Sequence, residues 1–228
     1  MTVFRKVTII ERSGGPYDRR LGRILIRPMA RMGVHPNQVT LLSFGFGVAA
    51  ALLFASGDGA LVHWAAAMSM LAVFTDHIDG ELARMTGRTS AFGHTIDYVV
   101  GSANYTMLFI GIGWGLAGGL AEALAGGMTI GPGQHWYIAL GFAAGLSNPL
   151  IVALRMTMER RFGAASVAHP AKGGFELEDF IYLIGPITWA GGLVYFFILY
   201  GLGNLGYLAW TIHRFRRNQA RAKEGSGA

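Results

Sequence analysis

Three carboxylates and several small residues recur at fixed intervals in one stretch of the chain. It reads Asp76-His77-Ile78-Asp79-Gly80-Glu81-Leu82-Ala83-Arg84, then eight residues, then Gly93-His94-Thr95-Ile96-Asp97. On a helix Asp76, Asp79, Gly80 and Ala83 stand at i, i+3, i+4 and i+7 and share one face. The short connection after Arg84 would make the next helix an antiparallel neighbour and bring Asp97 to the same end. Three carboxylates at one point of an apolar chain repel one another and lose hydration unless cations compensate them. A divalent ion held by oxygen is the natural counterpart, and magnesium or manganese fits best because such ions combine a few carboxylates with substrate phosphate oxygens. The plainer alternative is that Asp76 and Asp79 cap the helix end or pair with Arg84 and Arg88. The chain has no cysteine, which excludes disulfides and thiol-ligated metals.

The elements that must hold these groups are membrane helices. Of 228 residues, 52% are hydrophobic and only 14% charged, too apolar for an ordinary soluble domain. No charge falls between Asp97 and Glu122, between Glu122 and Arg155, or between Asp179 and Arg214, and a span needs about 20 residues. Apolar runs give candidate spans at Gln38–Gly57, Ala60–Asp76, Gly93–Leu116, His135–Met156, Phe180–Gly192 and Leu193–Ile212. The last two divide one uncharged stretch at a turn near Gly191–Gly192. The expected fold class is therefore all-α, a polytopic membrane protein of six transmembrane helices preceded by an amphipathic interfacial helix. Residues 1–16 read as a cytoplasmic lead, 17–32 as the interfacial helix, 33–217 as the transmembrane catalytic domain and 218–228 as a disordered, polar cytoplasmic tail. The charged opening does not read as a cleaved leader, so the first span is expected to serve as its own insertion signal.

The basic residues set the orientation. Eight precede the first span, two follow the second, four border the connection from the fourth to the fifth, and five follow the sixth, which accounts for all 19. All fall on one side of a six-span chain, which the positive-inside rule makes cytoplasmic. A bacterial-type inner membrane with both termini cytoplasmic is the expected location. The net charge of +6 then reads as anchoring to anionic lipid rather than as nucleic-acid binding, because these residues flank spans and build no single face. In the interfacial helix Leu21, Ile24, Leu25, Pro28 and Met29 are interleaved with arginines, and Gly33-Val34-His35-Pro36 ends it. Gly111, Gly115 and Gly119 recur every four residues and permit close helix contact, within the bundle or between copies.

At the carboxylate stretch the sequence resembles the CDP-alcohol phosphotransferase family, whose signature is D-x2-D-G-x2-A-R-x8-G-x3-D-x3-D. Asp76, Asp79, Gly80, Ala83, Arg84, Gly93 and Asp97 match it in register, and the final aspartate falls at Gly101. The likeness extends through the spans, the interfacial helix and the segment Pro36-Asn37-Gln38-Val39-Thr40. It implies a six-helix bundle, usually a homodimer, that moves a substituted phosphoryl group from a CDP-alcohol to a hydroxyl acceptor and releases CMP. In that family the last aspartate is taken as a metal ligand and as the general base, so Gly101 leaves both roles open here.

Under this resemblance Asp76, Asp79 and Asp97 hold metal, with two ions as in many phosphoryl-transfer sites. Gly80, Ala83 and Gly93 give close approach to the nucleotide, Asn37 and Thr40 complete its site, and Arg84, a candidate for both binding and catalysis, pairs with the diphosphate or with a carboxylate. His94, on the face of Asp97 and Gly101, is the candidate substitute base, with an interfacial histidine as the alternative. Arg155 would favour an anionic acceptor such as a polyol phosphate; otherwise it is a snorkelling arginine. The expected donor is CDP-diacylglycerol and the expected pathway phospholipid synthesis. Two further readings stay open: a member that binds CDP-alcohol and metal without turnover, and a small transporter using intramembrane aspartates.

Overall fold

The computed structural model describes residues 26–120, 133–163, 166 and 177–226. The cytoplasmic lead and the first part of the interfacial helix lie outside the described residues, as does most of the connection between Arg155 and Asp179. The chain forms α1 (residues 26–31), α2 (Pro36–Ala55), α3 (Val62–Thr86), α4 (Ala91–Leu116) and α5 (His135–Phe162). A 3₁₀ segment (Leu177–Leu183) then runs into α6 (Ile184–Trp189), and α7 (Leu193–Ser226) follows. There is no strand among the described residues.

Local chemistry explains where these helices begin and end. After α1, Gly33 takes a left-handed conformation (φ 75°), a backbone state open to glycine. Val34 N–H then donates to Met29 O at 3.1 Å. His35 and Gln38 form a reciprocal capping box, and Pro36 occupies the first turn of α2, where no amide donor is needed. Gly87 (φ 65°) closes α3 in the same left-handed manner. Three residues later the Ser90 hydroxyl accepts from Gly93 N at 2.9 Å and starts α4.

Among the described residues four helices, α2, α4, α5 and α7, are long and apolar enough to cross a membrane. They make the chain an integral membrane protein whose exposed leucines and aromatics, among them Leu41, Leu52, Trp64, Leu150 and Leu199, face outward. Two expected spans differ from this pattern. Helix α3 is 25 residues long but carries Asp76, Asp79, Glu81 and Arg84 in its last third and runs on well past Asp76. The expected fifth span is a short apolar helix, Phe180–Trp189, below the length of a full crossing. It turns at Gly191 (φ 80°), where the glycine pair suggests a break. The polar tail also differs from expectation, because α7 stays helical to Ser226.

The helices close into a ring in which α3 packs on α2, α2 on α4, α4 on α5, α5 on α7, α7 on α6, and α6 back on α3. Phe109 stacks on Phe197 and Tyr200 at the centre. Helix α4 approaches its neighbours through glycines. A Cβ at Gly111, Gly115 or Gly119 would strike the carbonyls of Ala51, Phe54 and Ser56 in and just after α2. The glycine repeat is therefore a seam inside the bundle. On the opposite side, Gly113 faces Tyr137 O, Gly141 faces Phe109 O and Gly145 faces Thr106 O, which sets α4 and α5 antiparallel.

Candidate metal centre and active site

The ends of α3 and α4 bring the three aspartates together. One carboxylate oxygen from each of Asp76, Asp79 and Asp97 lies within 4.8 Å of the others. Asp79 is 3% exposed, and its Oδ2 is buried and accepts no hydrogen bond from the described residues. A buried carboxylate oxygen left in this state is costly. Together with two more carboxylates at ligand spacing it fits a divalent cation held by oxygen.

The surrounding residues come from three helices. From α2, Thr40 is buried; its hydroxyl donates to Pro36 O at 3.3 Å and lies beside the Asp79 carboxylate. Asn37 sits across from Gly93, its Oδ1 3.6 Å from where a Cβ on that glycine would stand. His94, Arg84 and His77 stand around Asp97. The structure thus gathers Asn37, Thr40, Asp76, Asp79, Gly80, Arg84, Gly93 and Asp97 at one end of the bundle, with Ala83 on the same stretch of α3. Arg84 is largely exposed, pairs with Glu81 at 3.0 Å and folds over Gly80, its Nη1 3.5 Å from a Cβ built there.

Two histidines differ in setting. His94 is exposed and its ring meets Tyr98 edge-on at 4.6 Å. His77, also near Asp97, has its Nδ1 2.9 Å from the Tyr182 hydroxyl of the 3₁₀ segment. At Gly101 a Cβ would find nothing within 4 Å, so the place of the signature's last aspartate is open space. Arg155, on α5, donates from Nη1 to the Tyr207 hydroxyl on α7 at 2.6 Å.

Several polar residues that the motif does not contain support this end of the bundle. Asn104, two turns after Asp97, donates to Ser43 Oγ at 3.2 Å, and Ser43 Oγ donates to Ala72 O at 2.9 Å, one turn before Asp76. The chain Asn104–Ser43–Ala72 joins all three helices of the site. Tyr105 OH meets Tyr200 OH of α7 at 3.2 Å, and Thr106 Oγ1 reaches Gly145 O of α5 at 3.0 Å. Arg88 holds the turn before α2, donating to Gly33 O and Val34 O at 3.3 and 3.4 Å. The signal for the first three was a run of polar residues inside an apolar span.

Known proteins resemble this chain in sequence and in fold. A family model described as CDP-alcohol phosphatidyltransferase matches residues 33–213. A phosphatidylinositol phosphate synthase of Corynebacterium glutamicum is 37% identical over 106 residues, 45% of this chain and 48% of that protein. An archaetidylinositol phosphate synthase of Pyrococcus horikoshii is 35% identical over 98 residues, 42% of this chain and 47% of that one. The match thus spans about half the length of these curated relatives. Among solved structures, the Mycobacterium tuberculosis phosphatidylinositol phosphate synthase with CDP-DAG bound aligns over 86% of this chain and 94% of its own, at 20% identity and a TM-score of 0.60. A second structure of that protein is a complex with manganese and citrate. At this identity the likeness is one of fold.

Proposed function

The chain belongs to the CDP-alcohol phosphatidyltransferase family, and on that premise we propose that it transfers a phosphatidyl group from CDP-diacylglycerol to a hydroxyl acceptor, releasing CMP. The observation that carries this reading is the trio Asp76, Asp79 and Asp97 within 4.8 Å, with a buried, unsatisfied oxygen on Asp79. Two magnesium or manganese ions bound by these carboxylates would neutralise the diphosphate and stabilise the departing CMP. Gly80 and Gly93 leave backbone open to the nucleotide, and Asn37 and Thr40 donate polar groups at the same corner. Arg84, exposed and on a flexible stem, swings from Glu81 to the donor's phosphates.

The acceptor is a polyol phosphate, in keeping with the inositol phosphate products in the relatives' names. Arg155 meets its phosphate, and the hydrogen bond to Tyr207 fixes the guanidinium's direction. His94 takes the acceptor's proton in place of the absent carboxylate at Gly101. The working protein is a homodimer in a bacterial-type inner membrane with both termini in the cytoplasm, and the short apolar helix Phe180–Trp189, with the 3₁₀ segment before it, serves as the fifth of six crossings. Measuring CMP release from CDP-diacylglycerol against manganese or magnesium, with inositol, inositol phosphate, glycerol and glycerol phosphate as acceptors, tests the reading. Metal-dependent release with a phosphorylated acceptor supports it. Metal-dependent CDP-alcohol binding with no release from any acceptor would leave a binding protein instead.

A further inference from the structure

Pro149 stands inside α5. In a regular helix the amide at that position donates to the carbonyl four residues earlier, and proline has no amide hydrogen. Gly145 O is therefore left without its helical donor, deep in an apolar bundle where water is scarce. The Thr106 hydroxyl of α4 supplies what is missing, reaching Gly145 O at 3.0 Å while also lying 2.8 Å from Ser102 O. Its one proton is shared between the two carbonyls.

The position of this contact gives it meaning. Thr106 lies nine residues beyond Asp97, and Arg155 lies six residues beyond Pro149. The facing pairs Gly113–Tyr137, Phe109–Gly141 and Thr106–Gly145 advance in step. Carried on at the same step, Arg155, ten residues further along α5 from Gly145, would come level with Ile96 of α4, the neighbour of Asp97 in sequence. Helix α5 continues through Pro149 to Phe162, and the Thr106 contact at Gly145 O, one turn before the proline, holds the helix that carries Arg155 against the helix of Asp97.

We infer that Thr106 is a positioning residue: by satisfying the carbonyl that Pro149 orphans, it fixes the register of Arg155 against the carboxylate site. This rests on the proposed reading that Arg155 meets the acceptor's phosphate. Thr106 does not touch substrate. Its effect falls on acceptor recognition more than on donor binding, because the donor's residues lie on α2, α3 and α4.

The test is a double-mutant cycle on the full chain in lipid discs. Thr106→Val removes the donor and keeps the shape, Thr106→Ser keeps the donor, and Pro149→Ala restores the backbone amide that would satisfy Gly145 O within α5. Thermal unfolding, followed by tryptophan fluorescence, should fall by about 3 °C in Thr106→Val, stay unchanged in Thr106→Ser and return in Thr106→Val with Pro149→Ala. In CMP release, Thr106→Val should raise the acceptor KM about fivefold, the worth of one hydrogen bond, with the donor KM unmoved. The double variant should recover it. Equal thermal losses with and without Pro149→Ala overturn the pairing. A restored melting temperature with an unmoved acceptor KM overturns the positioning role. If the parent releases no CMP with any acceptor, the proposed function and the link to Arg155 fall, while the thermal cycle still decides the Thr106–Pro149 pairing.

Discussion

The side-chain amide of Asn104 occupies the place where a methyl group on Gly47 would have to go. That contact lets Asn104 reach Ser43 on the same helix as Gly47, and through it the carbonyl of Ala72. A glycine with no catalytic chemistry thus decides whether the helices bearing Asp76 and Asp97 are tied together.

Gly47→Ala should displace Asn104, separate it from Ser43 and lower the melting temperature. Asn104→Ala should also destabilise, because it leaves Ser43 without this partner. The double variant should melt no lower than either single variant, since the clash and the lost bond concern the same pair. Additive losses would show that Gly47 acts elsewhere.

Replacing Asp79 should separate stability from function. Asp79→Asn removes a charge that is buried against two other carboxylates, so the metal-free protein should melt higher than the parent. Saturating manganese at about 100 times its dissociation constant should stabilise the parent by roughly 2.7 kcal/mol and the variant far less. Equal manganese shifts in the two proteins would remove Asp79 from the metal site.

Gly80 offers a cleaner probe of nucleotide approach. A Cβ there would make only ordinary contact with the Arg84 guanidinium, at 3.5 Å or more, so Gly80→Ala should fold with an unchanged melting temperature. If the donor nucleotide packs against this backbone, CDP-alcohol affinity should still fall, by about tenfold for a clash of 1.4 kcal/mol. Unchanged affinity would place the nucleotide elsewhere.

Gly101 and His94 test the proton acceptor. Gly101→Asp has room and should raise turnover, up to the factor of about 100 to 10,000 that a general base contributes. His94→Ala should lower turnover in the parent and matter less when combined with Gly101→Asp. An active parent indifferent to His94→Ala would assign the proton to water or to the acceptor's own phosphate.

Topology can be read directly, because the chain has no native cysteine. Cysteines near Asp58 and Gly192 should react with an impermeant reagent from outside the cell, and cysteines near Gly87 and Gly225 should not. External labelling near Gly225 would overturn the six-crossing arrangement.

The aspartate trio is legible in the sequence because it depends on local spacing: Asp76 and Asp79 are one helical turn apart, and a short loop forces Asp97 alongside. Contacts set by the register between distant helices are not legible. Gly111, Gly115 and Gly119 announce close packing, yet only the fold shows that they meet carbonyls at the far end of α2 and beyond. Pro149 is visible as a proline, but nothing nearby in sequence identifies Thr106 as its remedy. The end of α7 departs from expectation for a different reason. Polarity after Arg217 suggests the end of ordered structure, whereas Gln219, Ala220, Arg221, Ala222 and Lys223 are all strong helix formers, and the helix continues through them.

That long final helix has a practical use. At 1.5 Å per residue its 34 residues measure about 51 Å, against a hydrocarbon layer of about 30 Å. Roughly 20 Å must therefore project into or beyond the headgroups. Small membrane proteins are hard to orient in electron cryo-microscopy because a lipid disc hides every recognisable outline. A soluble helical protein joined in register after Ser226 would be carried at a fixed angle to the bundle, giving each particle image an external marker from which its orientation can be assigned.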